Sequence, residues 1–490
     1  MKRDFYELDE GTGYIGFREA LDIIAANVQP LGEEERGLDL CVGRVAAADV
    51  VALVSYPSVA VSLKDGYAVK SAEIASASRD KPVCLKVVGA AFAGTACREL
   101  VKEGRAVKVC SGAPVPAGAD AVVSGEFCTE TSPEEVLIKA DAGLGRNIMT
   151  AGSEVKAGTV VIRKGETLSP GKLGLAAAAG LSALQVYRRP HAAIVSIGDE
   201  IVKPGEKLHI GQLYASNLVT MESWLALFGL SCRTCIVADD AGAIQQELQR
   251  HLSVNDAVFT SGGAWGSERD LAIGVLDSLG WRKIFHYLRM GPGKGTAFGM
   301  FEDKPVFCLP GGPLSNEMAF LQLALPALLR MSGETRHPLP TVFARLSEEV
   351  KSRHRAWTEF KDAVVTRTPA GSYIAAPYKS GSRLKSIAGA GGLICISEAK
   401  IPCLAALSCR CNYSHRDPID GPSNPVWGAK TVPDGFDSLS PTGRYTRSIS
   451  TEIRGRSLAK KLIAVPPFMA NAASLSINGS IRRSNSACLK

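Results

Sequence analysis

Phe17, Leu21 and Ile24 fall on one face of an amphipathic helix in the segment 17–25, and the chain then reads as extended. Between residues 83 and 162 the pattern changes to short β-branched runs, at 83–89, 106–110 and 121–123, broken by Gly, Pro and Asp. That texture predicts a small β-rich module. From 192 to 329 apolar strand-like runs alternate with amphipathic helices, the signature of a doubly wound α/β unit. Residues 192–197 form its first run. A helix is expected from Asn217, capped by Ser216, with Leu218, Met221, Leu225 and Phe228 on its apolar stripe and Gly229 at its stop. Further helices are expected at 245–252, at 270–279 and from Leu314, with strands at 257–260 and 305–309. After Pro338, residues 341–346 and 373–377 read as strands of a small β domain ending near Ile396. Beyond Lys400 the periodicity fades into Ser, Arg, Asn, Gly and Pro.

With 490 residues, 46% of them hydrophobic, the chain can build several cores, which sets aside a disordered protein. The N-terminus carries acids at once, and no apolar run is long enough to span a bilayer, so a soluble cytoplasmic protein without a membrane partner is expected. Thirteen cysteines at irregular positions read as buried free thiols rather than a zinc site or a disulfide scaffold; a local cluster, Cys409 and Cys411 near His415, is too sparse to chelate zinc by itself. Residues 401–490 hold 12 Lys and Arg against 5 Asp and Glu, and the first 400 hold 44 of each. The excess of +7 thus sits in the tail, and a neutral body argues against nucleic acid as a partner.

Three glycine-rich turns directly follow predicted strands of the α/β unit: Gly198-Asp199-Glu200, Ser261-Gly262-Gly263 and Pro310-Gly311-Gly312-Pro313. In such folds ligands bind at the carboxyl ends of strands, where small residues let the backbone approach and helix N-termini offer N–H groups to anions. A phosphate or another oxyanion is the natural ligand. Asp199, Glu200, Glu268 and Asp270 sit in or beside these turns, and Asp65 stands in a separate run, Ser62-Leu-Lys-Asp-Gly-Tyr-Ala-Val. Such carboxylates can hold Mg²⁺ against a pyrophosphate, or cap helices in solvent, which is the reading preferred for Glu268. Lys294 in Gly291-Pro-Gly-Lys-Gly offers a charge to phosphate or to water.

The strings Lys64-Asp-Gly-Tyr-Ala-Val, Ser111-Gly-Ala-Pro-Val-Pro-Ala-Gly-Ala-Asp-Ala-Val-Val, Ser196-Ile-Gly-Asp-Glu-Ile-Val-Lys-Pro-Gly-Glu, Thr260-Ser-Gly-Gly, Pro292-Gly-Lys and Leu309-Pro-Gly-Gly-Pro occur in an order that resembles the molybdopterin molybdenumtransferases, the MoeA-like family that includes the C-terminal domain of gephyrin. The resemblance runs from about residue 15 to residue 398. It implies a multidomain α/β plus β protein: a split linker domain (1–60 and 146–185), an inserted β-rich domain (61–145), a doubly wound α/β molybdopterin-binding domain (186–333), a C-terminal β domain (334–400) and an irregular basic tail (401–490). It also implies a homodimer, with molybdopterin adenylyltransferase and apo-molybdoenzymes as further partners. The implied reaction takes adenylylated molybdopterin and molybdate, cleaves the pyrophosphate link with Mg²⁺, releases AMP and leaves molybdenum on the dithiolene.

Position by position, the resemblance implies that Asp65 is the main catalytic carboxylate and that Ser111 lines its cleft. It implies contacts to the pterin nucleotide from Gly198, Asp199, Glu200, Ser261, Gly262, Gly263, Lys294, Pro310, Gly311, Pro313 and Ser315, with Asp199 and Asp270 as Mg²⁺ ligands. The chain departs from the family pattern at Lys64, Met149, Glu154, Ala178, Gly291 and Gly312. Met149 and Ala178 replace polar residues of the oxyanion site, which leaves Lys64 or Arg146 to hold the anion. Tungstate is an alternative to molybdate, a pterin-binding scaffold that has lost turnover is an alternative to the enzyme, and the adenylyltransferase step is a third reading. The closing strand of the C-terminal β domain is missing after Glu398. The tail reads as a shifted reading frame, a disordered extension or a partner-binding segment.

Overall fold

The computed structural model describes residues 13–95, 98–263, 271–354, 356–369 and 371–398, together with the backbone of Leu407–Cys409 and Lys461–Ile463. The chain divides into two units, one made of residues 32–188 and the other of the described segments on either side of it. Among the described residues no helix is long and apolar enough to cross a membrane.

In the unit 32–188, six strands pair in the order Ala121–Ser124, Gly66–Val69, Arg105–Val109, Val83–Ala91, Glu135–Ile138, Cys128–Ser132. Successive side chains of a strand point to opposite faces, and both faces of this sheet are covered. Tyr67 and Val69 pack with Ile74, Leu85, Val123 and Val136 on one side, while Ala68 packs with Val101, Val107, Val109 and Val122 on the other. The strands Val61–Ser62 and Ile148–Met149 pair as a short antiparallel ladder next to this sheet in the chain. Two further ladders, Val50–Val51 with Val160–Ile162 and Glu33–Gly37 with Ala183–Tyr187, lie with the helix Pro170–Ala178 around Cys41, Ile162, Leu168, Leu184 and Val186. Pro170 opens that helix, and the Ser169 hydroxyl accepts from the Lys172 amide at 3.4 Å, so one unpaired donor of the first turn is satisfied.

In the other unit a six-stranded sheet runs Ser231–Val237, His191–Ile197, Ala257–Ser261, Lys304–Leu309, Ala297–Phe301, Arg282–His286. The first four strands are parallel, and Ala297–Phe301 runs antiparallel to both of its neighbours, Lys304–Leu309 and Arg282–His286. The buried runs Ala192–Val195 and Ala257–Phe259 are apolar on both faces, as a sheet covered by helices on each side requires. In chain order the parallel strands stand 2-1-3-4, which puts the topological switch point between His191–Ile197 and Ala257–Ser261. The helix expected at 245–252 extends over Ala241–Val254, because Asp240 caps it by accepting from the Ala243 amide at 2.8 Å. The helix expected from Asn217 covers Ser216–Leu227; Ser216 lies inside it, and Ala215 at the N-cap makes no side-chain bond. Residues 271–278 are helical, and from Pro313 the chain is helical to Met331 through a π segment at Phe320–Ala324.

A second, mixed sheet in this unit joins Ile15–Gly16, Leu288–Gly291, Thr358–Arg367 and Gly392–Ile396. The helix Phe17–Asn27 buries Phe17, Ala20 and Ile24 in the core that contains Met221, Phe259 and Phe320, so it belongs to the unit of the α/β strands, whereas a linker domain over residues 1–60 is expected from the sequence. The run 341–346 is two strands, Thr341–Val342 and Ala344–Leu346, separated at the exposed Phe343. Where no closing strand is expected after Glu398, Lys461–Ile463 pairs antiparallel with Leu393–Cys395 and Cys409 faces Gly392. Sheet edges accept any backbone of compatible register, and three-residue partners leave no periodic trace in a sequence.

Candidate active site

Asp65 stands at the bend between Val61–Ser62 and Gly66–Val69, in the unit 32–188. The Ser111 amide donates to Asp65 Oδ1 at 2.6 Å, and the Asp65 carbonyl accepts from the Gly125 amide at 2.8 Å. The following residue must be glycine: a Cβ on Gly66 would fall 1.9 Å from the Val123 carbonyl oxygen. Asp65 and Ser111 are therefore brought together, as expected, but through the serine backbone; its hydroxyl lies 3.4 Å from the Leu63 carbonyl. The Ser62 hydroxyl braces the bend by donating to the Lys64 carbonyl at 2.6 Å. Met149, a departure from the family pattern, pairs with Val61, and the Arg146 carbonyl accepts from the Val122 amide, so both frame the bend that carries Asp65.

A cleft of about 500 Å³ opens beside this bend, with Asp65, Tyr67, Phe92, Lys108, Cys110 and Glu130 among its walls. Tyr67, Lys108 and Glu130 escape the sequence reading because they sit on three different strands. Register brings them together: Tyr67 pairs with Lys108, and Oε1 of Glu130 accepts from the Tyr67 hydroxyl and the Lys108 ammonium, both at 2.5 Å. Lys108 and Tyr67 hold the Glu130 carboxyl below its usual range. Burial, aided by Glu130, pushes the Tyr67 phenol well above its own. The result is a polar triad in which the phenol stays protonated and the carboxylate ionised at neutral pH.

In the other unit the three glycine turns converge at the carboxyl ends of neighbouring parallel strands. Gly198 follows Ile197, Gly262 follows Ser261 and Pro310 follows Leu309. The Gly262 amide donates to the Leu309 carbonyl at 3.1 Å. Gly262 has φ +96° and a Cβ there would meet the Ile197 carbonyl oxygen at 2.7 Å, so all three strand ends meet at one residue that only glycine can supply. Two amides missed in the sequence tie the turns together. Asn316 Nδ2 donates to the Ser261 hydroxyl at 3.1 Å and the Pro310 carbonyl at 2.9 Å; Asn217 Nδ2 donates to the same hydroxyl at 3.2 Å and the Gly311 carbonyl at 2.8 Å. A polar Asn one position inside an expected helix start is the signal that marks Asn217, since Asn suits helix ends and turns better than helix interiors.

Asp199 and Glu200 are exposed, and Asp199 Oδ1 accepts from the Asp239 amide at 3.1 Å. Gly263, Gly311, Pro313 and Ser315 are within or just beyond the turns, Pro313 opening the helix Pro313–Ala319 with Ser315 half-buried in its first turn. Glu268 and Asp270 lie outside the described residues. Lys294 follows the strand Leu288–Gly291 of the mixed sheet, where its ammonium sits over the rings of Tyr14 and Trp357 at 4.9 and 5.7 Å from their centres. Such placement stabilises a cation without phosphate.

Residues 15–180 match the MoeA N-terminal region (domains I and II), and residues 193–330 match a domain described as a probable molybdopterin binding domain. A molybdopterin molybdenumtransferase 2 from Mycobacterium tuberculosis is 32% identical over 362 residues, 73% of this chain and 89% of that protein. A molybdopterin molybdenumtransferase from Haemophilus influenzae is 30% identical over 321 residues, 65% of this chain and 78% of its own length. The crystal structure of a molybdopterin biosynthesis MoeA protein from Pyrococcus horikoshii superposes with a TM-score of 0.67 at 30% identity, covering 79% of this chain and 95% of that one. A bend that presents an amide-held Asp65 and three turns gathered at a switch point thus occur in a chain that belongs to the MoeA family of molybdopterin molybdenumtransferases.

Proposed function

We propose that this enzyme inserts molybdenum from molybdate into adenylylated molybdopterin and releases AMP. The observation that carries the reading is Asp65, whose carboxylate lines a cleft of about 500 Å³ with one oxygen held by a backbone amide. Hydrolysis of the pyrophosphate link forms one P–O bond to water, breaks the bridging P–O bond and releases a proton. A positioned carboxylate is suited to receive that proton, and we assign this to Asp65. The turns at Gly198, Gly262 and Gly311 are assigned to the nucleotide, because their close approach leaves backbone groups without intervening side chains.

Mg²⁺, when bound, would neutralise charge on the pyrophosphate. Asp199 and Glu200 offer the hard oxygen donors that it prefers, and both are exposed, so the donor set fits. Lys64 and Arg146, both exposed beside the Asp65 bend, are assigned to the oxyanion substrate, molybdate or tungstate. On the same reading the enzyme works as a cytoplasmic homodimer that receives its substrate from a molybdopterin adenylyltransferase and delivers product to apo-molybdoenzymes.

Met149, an apolar residue paired directly against Val61, favours a second reading in which the pterin nucleotide binds but does not turn over. AMP release from adenylylated molybdopterin by the full chain, with Mg²⁺ and molybdate or tungstate, separates the two. Anion-dependent release that vanishes in Asp65→Ala supports the insertase; tight pterin binding with no release in either protein leaves the scaffold. Weaker anion saturation in Lys64→Ala with unchanged nucleotide binding is expected from the oxyanion assignment.

A further inference from the structure

Cys232 and Cys235 form a Cys-x-x-Cys unit in the sequence but pack into different cores, and folding gathers a mixed donor set around Cys235 on one side of the α/β sheet. Cys235 lies on the strand Ser231–Val237, while Glu247 and His251 are one turn apart on the helix Ala241–Val254 that covers it. Residues four apart share a helix face, so both helical side chains reach the same spot. The ligand atoms of all three lie within 4.8 Å of one another. His251 Nε2 is 3.4 Å from Cys235 Sγ and 3.5 Å from Glu247 Oε2. A tetrahedral Zn²⁺ with ordinary bond lengths has edges of about 3.6 Å between thiolate and imidazole and about 3.4 Å between imidazole and carboxylate. The two observed separations lie within about 0.2 Å of those edges, and Cys235 and Glu247 are within 4.8 Å of each other.

We propose that Cys235, Glu247 and His251 bind a borderline-soft divalent cation of the Zn²⁺ type. Thiolate plus imidazole selects Zn²⁺ over Mg²⁺, and the thiolate and carboxylate together cancel its charge. His251 is buried, whereas Cys235 and Glu247 are half-buried, so one side of the site opens to solvent and leaves a fourth position for water. Asn255 Nδ2 donates to the His251 carbonyl at 3.0 Å and faces His251 Nδ1 at 3.3 Å; ligation through Nε2 leaves the ring proton on Nδ1, so this amide must turn away when the cation enters. Arg250 stands in the way: its guanidinium pairs with Glu247 and lies 3.1 Å from His251 Nε2. Its side chain is 54% exposed and can swing into water when the cation enters. The bound ion would pin the helix to the edge strand of the sheet, independently of pterin chemistry.

The full chain, stripped by a chelator and kept reduced, is titrated with Co²⁺ and then with Zn²⁺. A thiolate-to-Co²⁺ charge-transfer band with strong four-coordinate visible bands is expected, saturating stoichiometrically and erased by Zn²⁺. Zn²⁺ is also expected to raise Tm. Cys235→Ser should abolish the charge-transfer band. Glu247→Gln, at a half-exposed position where folding is not at stake, should weaken Zn²⁺ binding by at least about tenfold, since even outer-shell changes cost about 10–100-fold. Absence of the band in the unmodified chain overturns the proposal. So does a band that survives Cys235→Ser, which would place the metal on other cysteines and leave Cys235, Glu247 and His251 as a plain hydrogen-bonded cluster.

Discussion

The Ser111 amide, and not its hydroxyl, holds Asp65: nitrogen and Oδ1 are 2.6 Å apart while the Ser111 hydroxyl sits 3.4 Å from the Leu63 carbonyl. Ser111→Ala keeps the backbone donor and should change the rate of AMP release by less than about tenfold. Asp65→Asn keeps the shape but loses the base, and a fall of about 10²–10⁴-fold is expected. Single-turnover AMP release of the two variants side by side checks the contrast; equal losses would mean that the hydroxyl itself takes part.

Gly262 joins three strand ends in a conformation closed to other residues. Gly262→Ala forces a Cβ against the Ile197 carbonyl at φ +96°, a strain of about 1–3 kcal/mol. Urea unfolding should show that loss, and pterin-nucleotide affinity should fall with it. Unchanged affinity in a folded variant would remove this turn from the nucleotide site.

Asn316 is 1% exposed, and its amide serves both the Ser261 hydroxyl and the Pro310 carbonyl. Asn316→Ala takes this donor from the buried Pro310 carbonyl, while Asn217 still serves the Ser261 hydroxyl, and should destabilise the chain by about 1–3 kcal/mol. Asn217→Ala, at a half-buried position, should cost less stability while loosening the same turns. Chemical denaturation of both variants measures the difference.

The thiol of Cys308 is pushed by burial from 9.0 up to about 12. A group whose folded pKa is raised stabilises the fold below its unfolded pKa, and that contribution is lost as pH climbs through the window from about 9 to about 12. Burial likewise lifts the thiols of Cys128, Cys232 and Cys235 to about 11. Stability under reducing conditions should therefore fall steadily above pH 9, with Cys308 alone worth on the order of a few kcal/mol over its window. Cys308→Ala adds a cavity cost that does not vary with pH, so a shallower alkaline slope identifies the thiol. An identical slope would contradict the assignment.

The doubly wound unit is legible in sequence because its parallel strands are continuous apolar runs followed at once by glycine turns, as at 192–198 and 257–263. The antiparallel strands Ala297–Phe301 and Arg282–His286 give no comparable signal, and two-residue ladders such as Ile148–Met149 with Val61–Ser62 give none. At the candidate sites, residues announced by local strings were readable: Asp65, Ser111 and the three turns. The triad of Tyr67, Lys108 and Glu130 depends on the pairing register of separate strands, and the metal-type cluster depends on which helix face covers Cys235. Both are long-range facts that no window of the chain contains. The position of Lys294 shows the converse, since a motif can place a charge near phosphates while the fold gives it aromatic neighbours.

Ser261 can now be read as a group with a direction. An amide nitrogen only donates, and each of the two facing Ser261 also serves a carbonyl, which only accepts; neither Asn217 nor Asn316 can be turned over without setting oxygen against oxygen. Both lone pairs of the serine oxygen are then occupied, and its single hydrogen is all that it can offer to anything else. The hydroxyl, ordinarily indifferent to the polarity of its partner, has become a committed donor at the strand ends. A phosphate oxygen satisfies it and an amine or a second donor does not, so the pair of asparagines discriminates between classes of ligand that neither of them needs to touch.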